Sequence, residues 1–424
     1  MGFAKRARTE LEQVILPFWY ENGIDHELGG FHTCFDNRGR TRTAETKFTW
    51  SQGRFVWLLS HAATLAEQGL LSADPELLTG WAERGGQFLT DHAVRTDGTC
   101  RFAVQRDGSP VVDPTVPDRS VYADLFAVMG LAGLAARTAD PAVLVPARSV
   151  LERALADIHA GTGPTPPYQI PAGRDALGPH MIALNALLVL AQAEGSLDLD
   201  GTTTRAALAT EIEHVMSFRA ADGTFVEMPR AGGAPDAGTE TVVERHRVPG
   251  HAIEAIWMVL AAGELLGTDA HRRQALDSVP ALCELGWDRE HGGLLRYTDA
   301  AGPVRPAGTA EQAPYTEGVL ATWDTKLWWV HSEACATTAI AARRYGQPAA
   351  APWFDRIWEY TLSTFPGGDQ GREWIQIRDR SGQPKDEVVA LPVKDPFHIA
   401  RNLMQLVELG AETHPAAGVP RPAS

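Results

Sequence analysis

The stretch Val248-Pro249-Gly250-His251-Ala252-Ile253-Glu254-Ala255-Ile256-Trp257 is a Pro-Gly breaker followed by an apolar run with helical character. Within it His251 and Glu254 are three residues apart, which makes them neighbours on one helix face. Lys394-Asp395-Pro396-Phe397-His398-Ile399-Ala400-Arg401 repeats the arrangement, with a Pro breaker, His398 near a helix start and Arg401 one turn on. A single histidine at a helix mouth is as often a cap or a packing residue as a working group. Two in matched contexts, each with a charged neighbour at i+3, suggest a pair of acid/base groups.

The same helical periodicity runs through the rest of the chain. From Thr9 onward Leu11, Ile15 and Phe18 recur at three- and four-residue steps, and the run closes at Asn22-Gly23. Further helices are predicted over 50–68, 76–94, 119–137, 141–159, 179–194 and 203–219, then over 250–266, 270–285, 324–345, 352–364 and 396–409. That makes twelve, most of them rich in Ala and Leu and many ending near Gly or before Pro. Short apolar segments around Asp/Asn/Gly turns lie between them and read as β-hairpins. Gly29-Gly30-Phe31 leads to Asp36-Asn37-Arg38-Gly39, and Arg101-Phe102-Ala103 leads to Arg106-Asp107-Gly108. Gly292-Gly293-Leu294 leads to Asp299-Ala300-Ala301-Gly302, and Trp374-Ile375-Gln376 to Asp379-Arg380-Ser381-Gly382.

Repeated units that cannot bury their own faces must close on one another. The expected class is therefore all-α, with six helical hairpins compatible with an (α/α)6 toroid and the short strand pairs walling a central cleft at one end. Periodicity by itself does not distinguish a closed ring from an open solenoid. The Pro/Gly-rich stretches 161–178, 231–238 and 300–316 read as loops, without the length or charge bias of an interdomain linker. One catalytic domain over 1–411 is expected, with the Pro/Ala-rich segment 412–424 as a disordered tail.

Composition narrows the partners. The 424 residues are 44% hydrophobic and 21% charged, as expected of a soluble protein with a full core. The 38 basic against 53 acidic residues give −15, which argues against a nucleic-acid or anionic-membrane partner. Cys34, Cys100, Cys283 and Cys335 lie far apart with no CxxC spacing, which fits a reducing cytoplasm better than a disulfide framework. No signal peptide is apparent, and the most apolar runs, such as 125–136, are too short to span a bilayer.

Four motifs carry a resemblance. Gly29-Gly30-Phe31 with Lys47-Phe48-Thr49-Trp50-Ser51-Gln52-Gly53-Arg54 is the first, and Pro249-Gly250-His251-Ala252-Ile253-Glu254 the second. Lys326-Leu327-Trp328-Trp329-Val330-His331-Ser332-Glu333-Ala334 and Pro396-Phe397-His398 through Arg401 follow. In this order, over nearly the whole chain, they resemble the N-acylglucosamine 2-epimerase family, which also includes cellobiose 2-epimerases, mannose isomerases and sulfoquinovose isomerases. The tryptophan-bearing motifs look closest to the N-acylglucosamine 2-epimerase branch. The resemblance implies an (α/α)6 barrel and a cytoplasmic sugar 2-epimerase, first on N-acetylglucosamine and N-acetylmannosamine.

That chemistry makes definite demands. Inversion at C2 of a free sugar removes a weakly acidic proton beside an aldehyde. It therefore requires a base, a donor for the developing enediolate and a second acid/base group on the opposite face. Histidine suits both proton-transfer posts because its pKa lies near working pH. By resemblance His251 and His398 are that pair and Arg54 is the oxyanion partner. Glu254 is expected to orient His251, and Arg401 to do similar work at His398 or to bind a sugar oxygen. Glu333 matches a family carboxylate near the substrate. Trp50, Trp328 and Trp329 suggest platforms for the C–H face of a pyranose, although a Trp stripe is more often core. Tyr122 falls where relatives place a substrate-facing aromatic.

One departure bears on the product. Sugar isomerases of the family often carry a further His on the sixth helix, and alignment sets Ile182 opposite it, with His180 two residues away. Other chemistries fit poorly. There is no P-loop and no GxSxG elbow, and no metal is expected, since His251 and Glu254 lack a third ligand at a telling spacing. By resemblance no cofactor is required, ATP enters only as a candidate allosteric activator, and a homodimer is the candidate assembly. The competing readings are an aldose–ketose isomerase of mannose/fructose type, an epimerase of unsubstituted mannose or glucose or of a disaccharide, and a non-catalytic sugar- or protein-binding barrel. Hydrolysis on the same barrel would call for a carboxylate pair across the cleft, and none stands out.

Overall fold

The structure is a computed structural model that describes residues 2–233, 240–311, 314–367 and 373–413. The first rod consists of α1 (Phe3–Glu10) and α2 (Leu16–Asn22), joined through a π-helical turn at Leu11–Ile15. β1 (Lys47–Phe48) leads into α3 (Thr49–Glu67), which is followed by α4 (Pro75–Phe88) and a π turn at Leu89–Ala93. After β2 (Ala103–Val104) come α5 (Val121–Thr138), α6 (Leu144–His159), α7 (Leu177–Ser196) and α8 (Thr202–Ser217). The short α9 (Val242–Arg245) and β3 (His246–Arg247) precede α10 (Pro249–Leu266) and α11 (Arg272–Gly286). β4 (Thr298–Asp299), the short α12 (Tyr315–Thr322) and β5 (Lys326–Leu327) then precede α13 (Trp328–Arg343) and α14 (Ala350–Thr364). β6 (Ile377–Arg378) and α15 (Phe397–Thr413) come last.

Helices α3, α5, α7, α10, α13 and α15 pack in that order, and α15 returns against α3, so these six close a ring. Outside it, α4, α6, α8, α11 and α14 each lie against the inner helix that precedes them, and α1 lies against α15. This is the (α/α)6 barrel expected from the sequence. The two layers differ in composition for a physical reason. Inner helices are buried on nearly every side, and α7 exposes almost none of its length between Leu177 and Ala193. Outer helices bury one stripe, as α4 does with Leu78, Ala82, Gly85, Gly86 and Phe88. Helix α5, at 18 residues, matches a membrane span in length and apolarity, contrary to the expectation that every apolar run falls short. Its place in the inner ring, 78% buried, accounts for that composition.

The α3–α5 contact is unusually close because glycines face each other. A Cβ on Gly53 would stand 2.1 Å from the Phe126 carbonyl oxygen, and one on Gly130 would stand 2.4 Å from that of Gly53. The crossing fixes the start of α3, which carries Trp50 and Arg54.

The strands correct the hairpin reading. The predicted turns are present only as single local bridges, Phe35 with Arg42, Val104 with Pro110, Asp299 with Gly302 and Arg378 with Pro384. The strands proper pair over long range, β1 with β2, β3 with β4 and β5 with β6, all antiparallel. Each pair brackets a whole helical hairpin and pins the start of an inner helix, which a search for local alternation cannot detect.

Two of these strand pairs rest on the same buried knot. Lys47 donates to Asp25 at 3.0 Å and to the Gly29 carbonyl, while Arg106 also holds Asp25 at 2.9 Å. Lys326, Asp288, the Gly292 carbonyl and Arg380 repeat the set. Gly29, Gly30, Gly292 and Gly293 all have φ between 67° and 77°, the left-handed region that glycine occupies at no steric cost. Beside the recurring helix pairs read in the sequence, the structure thus repeats an ion-pair knot about a buried aspartate. At the other end, α15 continues to Thr413, and Glu412, predicted to begin the tail, pairs with Arg344. Residues 414–424, and 234–238 of a predicted loop, lie outside the described residues.

Gly53→Ala drives a methyl group into backbone and should cost at least about 1–3 kcal/mol of unfolding free energy, the usual range for overpacking. Urea denaturation checks this, and wild-type stability would show that α3 and α5 are free to separate.

Candidate active site

All six inner helices point their first turns at one cavity. Trp50 and Arg54 come from α3, Tyr122 from α5, and Met181 and Ile182 from α7. His251 and Glu254 come from α10, Trp328 and Trp329 from α13, and His398 from α15. Tyr168, Ile377, Asp395 and the segment Val389-Ala390-Leu391 complete the wall of a cleft of about 820 Å³ including its open mouth. The partial positive charge at a helix N-terminus favours negative charge nearby, and here six such ends surround the cavity.

His398 is buried at the head of α15. Its Nδ1 lies 2.7 Å from Glu333 Oε1, and its Nε2 lies 3.1 Å from Arg54 Nη2. A guanidinium can only donate, so Nε2 carries the lone pair and Nδ1 carries the proton toward Glu333. Burial, reinforced by the charges of Arg54 and Arg401, lowers the His398 pKa to about 3 despite Glu333. The imidazole is neutral at physiological pH, with its basic nitrogen held at the cavity.

His251 has the opposite character. Its Nδ1 lies 2.9 Å from Glu227 Oε1, and its ring stacks on Trp329 with centroids 5.4 Å apart. Burial alone would depress this imidazole, but Glu227, supported by Glu254, outweighs it and holds the pKa above the ordinary histidine value. The ring of Trp329 also meets His398, at 5.7 Å, so the two histidines share one indole neighbour. One neutral and one protonation-prone imidazole on a common cavity form an acid/base pair separated by environment.

The expected partner of His251 is thus replaced. Glu254 points to Arg401, which donates to it at 2.6 Å and also pairs with Glu333. Burial and the nearby Glu333 raise the Glu254 pKa, while Arg401 and His398 hold that of Glu333 down against burial. Neither Glu333, expected near the substrate, nor Arg401 lines the cleft, and of the two places expected for Arg401 the structure gives the one beside His398. They stand behind His398, where Trp257 Nε1 and Asn402 Nδ2 also donate to Glu333 at 3.0 and 2.7 Å. Arg54 stands where expected, with its guanidinium 4.0 Å from the Phe126 ring centroid and 3.4 Å from Asp395. Trp50, Trp328, Trp329 and Tyr122 all reach the cavity. Ile182 lines it too, whereas His180 turns away to bond Glu211 at 2.9 Å.

Sequence reading missed Glu227, Tyr168 and Asp395. Glu227 lies in a short segment after α8, held to the start of α7 by the bond from Leu177 N–H to its carbonyl. The turn Asp222-Gly223-Thr224 followed by an acidic residue in the apolar run Phe225-Val226-Glu227-Met228 was the available signal. A side lobe of the cleft adds Arg296, Tyr297 and Tyr315, and the Tyr315 hydroxyl lies 2.8 Å from His246 Nε2.

Comparison with known proteins agrees with this architecture. The family model for N-acylglucosamine 2-epimerase (GlcNAc 2-epimerase) matches residues 29–401. The chain is similar to the N-acylglucosamine 2-epimerase of Mus musculus, 30% identical over 407 residues, 94% of this chain and 90% of that one. The Homo sapiens protein of the same name is 29% identical over 422 residues, covering 96% and 90%. Among solved structures, cellobiose 2-epimerase from Bacillus thermoamylovorans B4167 superposes with a TM-score of 0.74 at 19% identity, covering 96% of this chain and 99% of that one. A D-mannose isomerase gives 0.67 at 14% identity, covering 96% and 97%. At these identities the structures speak for the shared barrel alone.

Glu227→Gln removes the carboxylate that holds the His251 pKa up, so that pKa should fall toward or below the ordinary histidine value. NMR titration of the imidazole C–H signals checks this, and an unmoved or raised value would contradict the assigned pair.

Proposed function

We propose, from the premise that this chain belongs to the N-acylglucosamine 2-epimerase family, that its cleft inverts C2 of a free N-acylated hexosamine, interconverting the N-acetylglucosamine and N-acetylmannosamine configurations. The chain is a carbohydrate epimerase of the isomerase class. The assignment of roles rests on one observation. His251 and His398 open on the same cavity, each with Nδ1 on a carboxylate, and their surroundings drive their proton affinities apart.

In the proposed reaction the open-chain sugar presents its C2–H bond to one imidazole. Neutral His398 takes the proton through Nε2 once the substrate displaces the Arg54 contact. Arg54 then faces the C1 oxygen, where negative charge develops, with six helix N-termini adding to the field. Protonated His251 returns a proton to C2 from the other face, and in the reverse direction the two exchange roles. Proton removal and return balance without a cofactor. An effector role for ATP, which rests on the resemblance alone, is tested by assays with and without the nucleotide.

One feature of the cleft supports an N-acyl substrate: Met181, Ile182 and Leu391 present apolar surface that suits an acyl methyl group. On such a substrate there is no oxygen at C2 to become a ketone, so return of the proton to C2 is the natural outcome. Ile182, which the resemblance sets opposite the further histidine of many sugar isomerases, lines the cleft here. Trp328 Nε1 is buried without a hydrogen-bond partner among the described residues and is available to a sugar oxygen. All four cysteines are free and buried, in keeping with a reducing cytoplasmic setting.

Product analysis by NMR in D₂O on N-acetylmannosamine, mannose and glucose tests the reading. The 2-epimer of N-acetylmannosamine carrying deuterium at C2 is expected, whereas ketose as the main product from mannose, with no 2-epimer, would overturn it. Arg54→Ala should lower kcat by about 10²–10³-fold, the usual effect of losing an oxyanion donor. Arg54→Lys should recover only part of that loss, because an ammonium cannot reproduce the guanidinium fork. A raised KM with unchanged kcat would instead mark Arg54 as a ground-state binding group.

A further inference from the structure

On the outer side of the barrel three helices bring three imidazoles and a carboxylate together. His159 is the last residue of α6, His180 lies in the first turn of α7, and Glu211 and His214 are three apart on α8. One nitrogen or oxygen from each lies within 4.8 Å of the others. His180 Nδ1 and His214 Nδ1 approach Glu211 at 2.9 and 3.2 Å, and His159 Nε2 also meets it. Glu211 is fully buried and His180 nearly so, while His159 and His214 are each about 40% exposed along the side chain. The cluster therefore has a built floor and an open approach. Nothing in the epimerisation chemistry uses it.

We propose that this cluster is a divalent metal site of the zinc type, with His159, His180, His214 and Glu211 as a tetrahedral set. Imidazole nitrogen and carboxylate oxygen are the donors that Zn²⁺ takes, at bonds of about 2.0–2.2 Å, which sets neighbouring donors roughly 3.3 Å apart. The present donors lie within 4.8 Å of one another, and the adjustment to that spacing falls on the two exposed histidines. His180 has the supporting contact typical of a ligand. With Nδ1 in the cluster, its Nε2 lies 3.5 Å from Asp175 Oδ1, an ion-pair contact on the side of the ring where a metal-bound imidazole takes a carboxylate partner. Four protein ligands from three helices make a structural clamp rather than a catalytic centre. The clamp joins the end of α6 to the start of α7, and the residues after His180 in α7 are Met181 and Ile182 of the cleft wall.

The test uses the intact, metal-stripped enzyme titrated with Co²⁺ and then with Zn²⁺. The expected result is one equivalent of cobalt with the visible absorption of a four-coordinate ion, displaced by zinc, and a zinc-dependent rise in Tm. The double variant His159→Gln/His214→Gln changes only the exposed ligands, and it should fold with normal sugar turnover while losing both signals. Asp175→Asn should weaken cobalt affinity by about 10–100-fold, as loss of such an outer partner does. Absence of the four-coordinate spectrum in the wild type, its persistence in the double variant, or undiminished affinity in Asp175→Asn would overturn the proposal.

Discussion

The hydrogen bond from His398 Nδ1 to Glu333, 2.7 Å long and closed to solvent, is the contact on which the rest of the centre depends. A carboxylate buried without partners costs several kcal/mol, and burial becomes tolerable only when donors surround it. Glu333 accepts from His398, Arg401, Asn402 and Trp257. These donors sit on α15 and α10, and Glu333 on α13, so one carboxylate joins three adjacent inner helices at the level of the cleft. The three helices can meet there because donors surround the carboxylate.

That matching also explains why two histidines with the same hydrogen-bond pattern behave differently. Each has Nδ1 on a glutamate, so the carboxylate alone does not separate them. The cations decide. Arg54 and Arg401 flank His398 and, with burial, oppose its protonation. At His251 the principal charged neighbours are Glu227 and Glu254, and they favour protonation. A reaction that takes a proton from one face of a carbon and returns one to the other needs this kind of asymmetry in its resting state.

The run of helices was legible in the sequence because apolar periodicity survives in a string of letters, whereas closure into a ring was not and rested on the family resemblance. His251 and His398 were legible because each follows a Pro breaker at a helix start, whereas Arg54 and the tryptophans were reached through the motifs of the resemblance. Glu227 was not, since it comes from an irregular segment between α8 and α10 and its reach to His251 depends on tertiary placement. For the same reason Glu254 was given the wrong partner. Spacing of three on a helix makes two side chains neighbours, but the stronger attraction of Arg401 on another helix decides where the carboxylate points. The strand pairs were misread as local because each joins segments separated by two helices. The outer histidine cluster was missed because its members stand on three elements with no common motif.

The most direct measurement is solvent-deuterium washout at C2 in single-histidine variants, His251→Asn and His398→Asn, each offered the two epimers of one N-acylhexosamine separately in D₂O. Both variants should fail to epimerise, and each should exchange the C2 proton of one epimer only, with the two variants choosing opposite epimers. Exchange from the same epimer by both variants, or epimerisation retained by either, would contradict a pair of histidines working on opposite faces of one carbon.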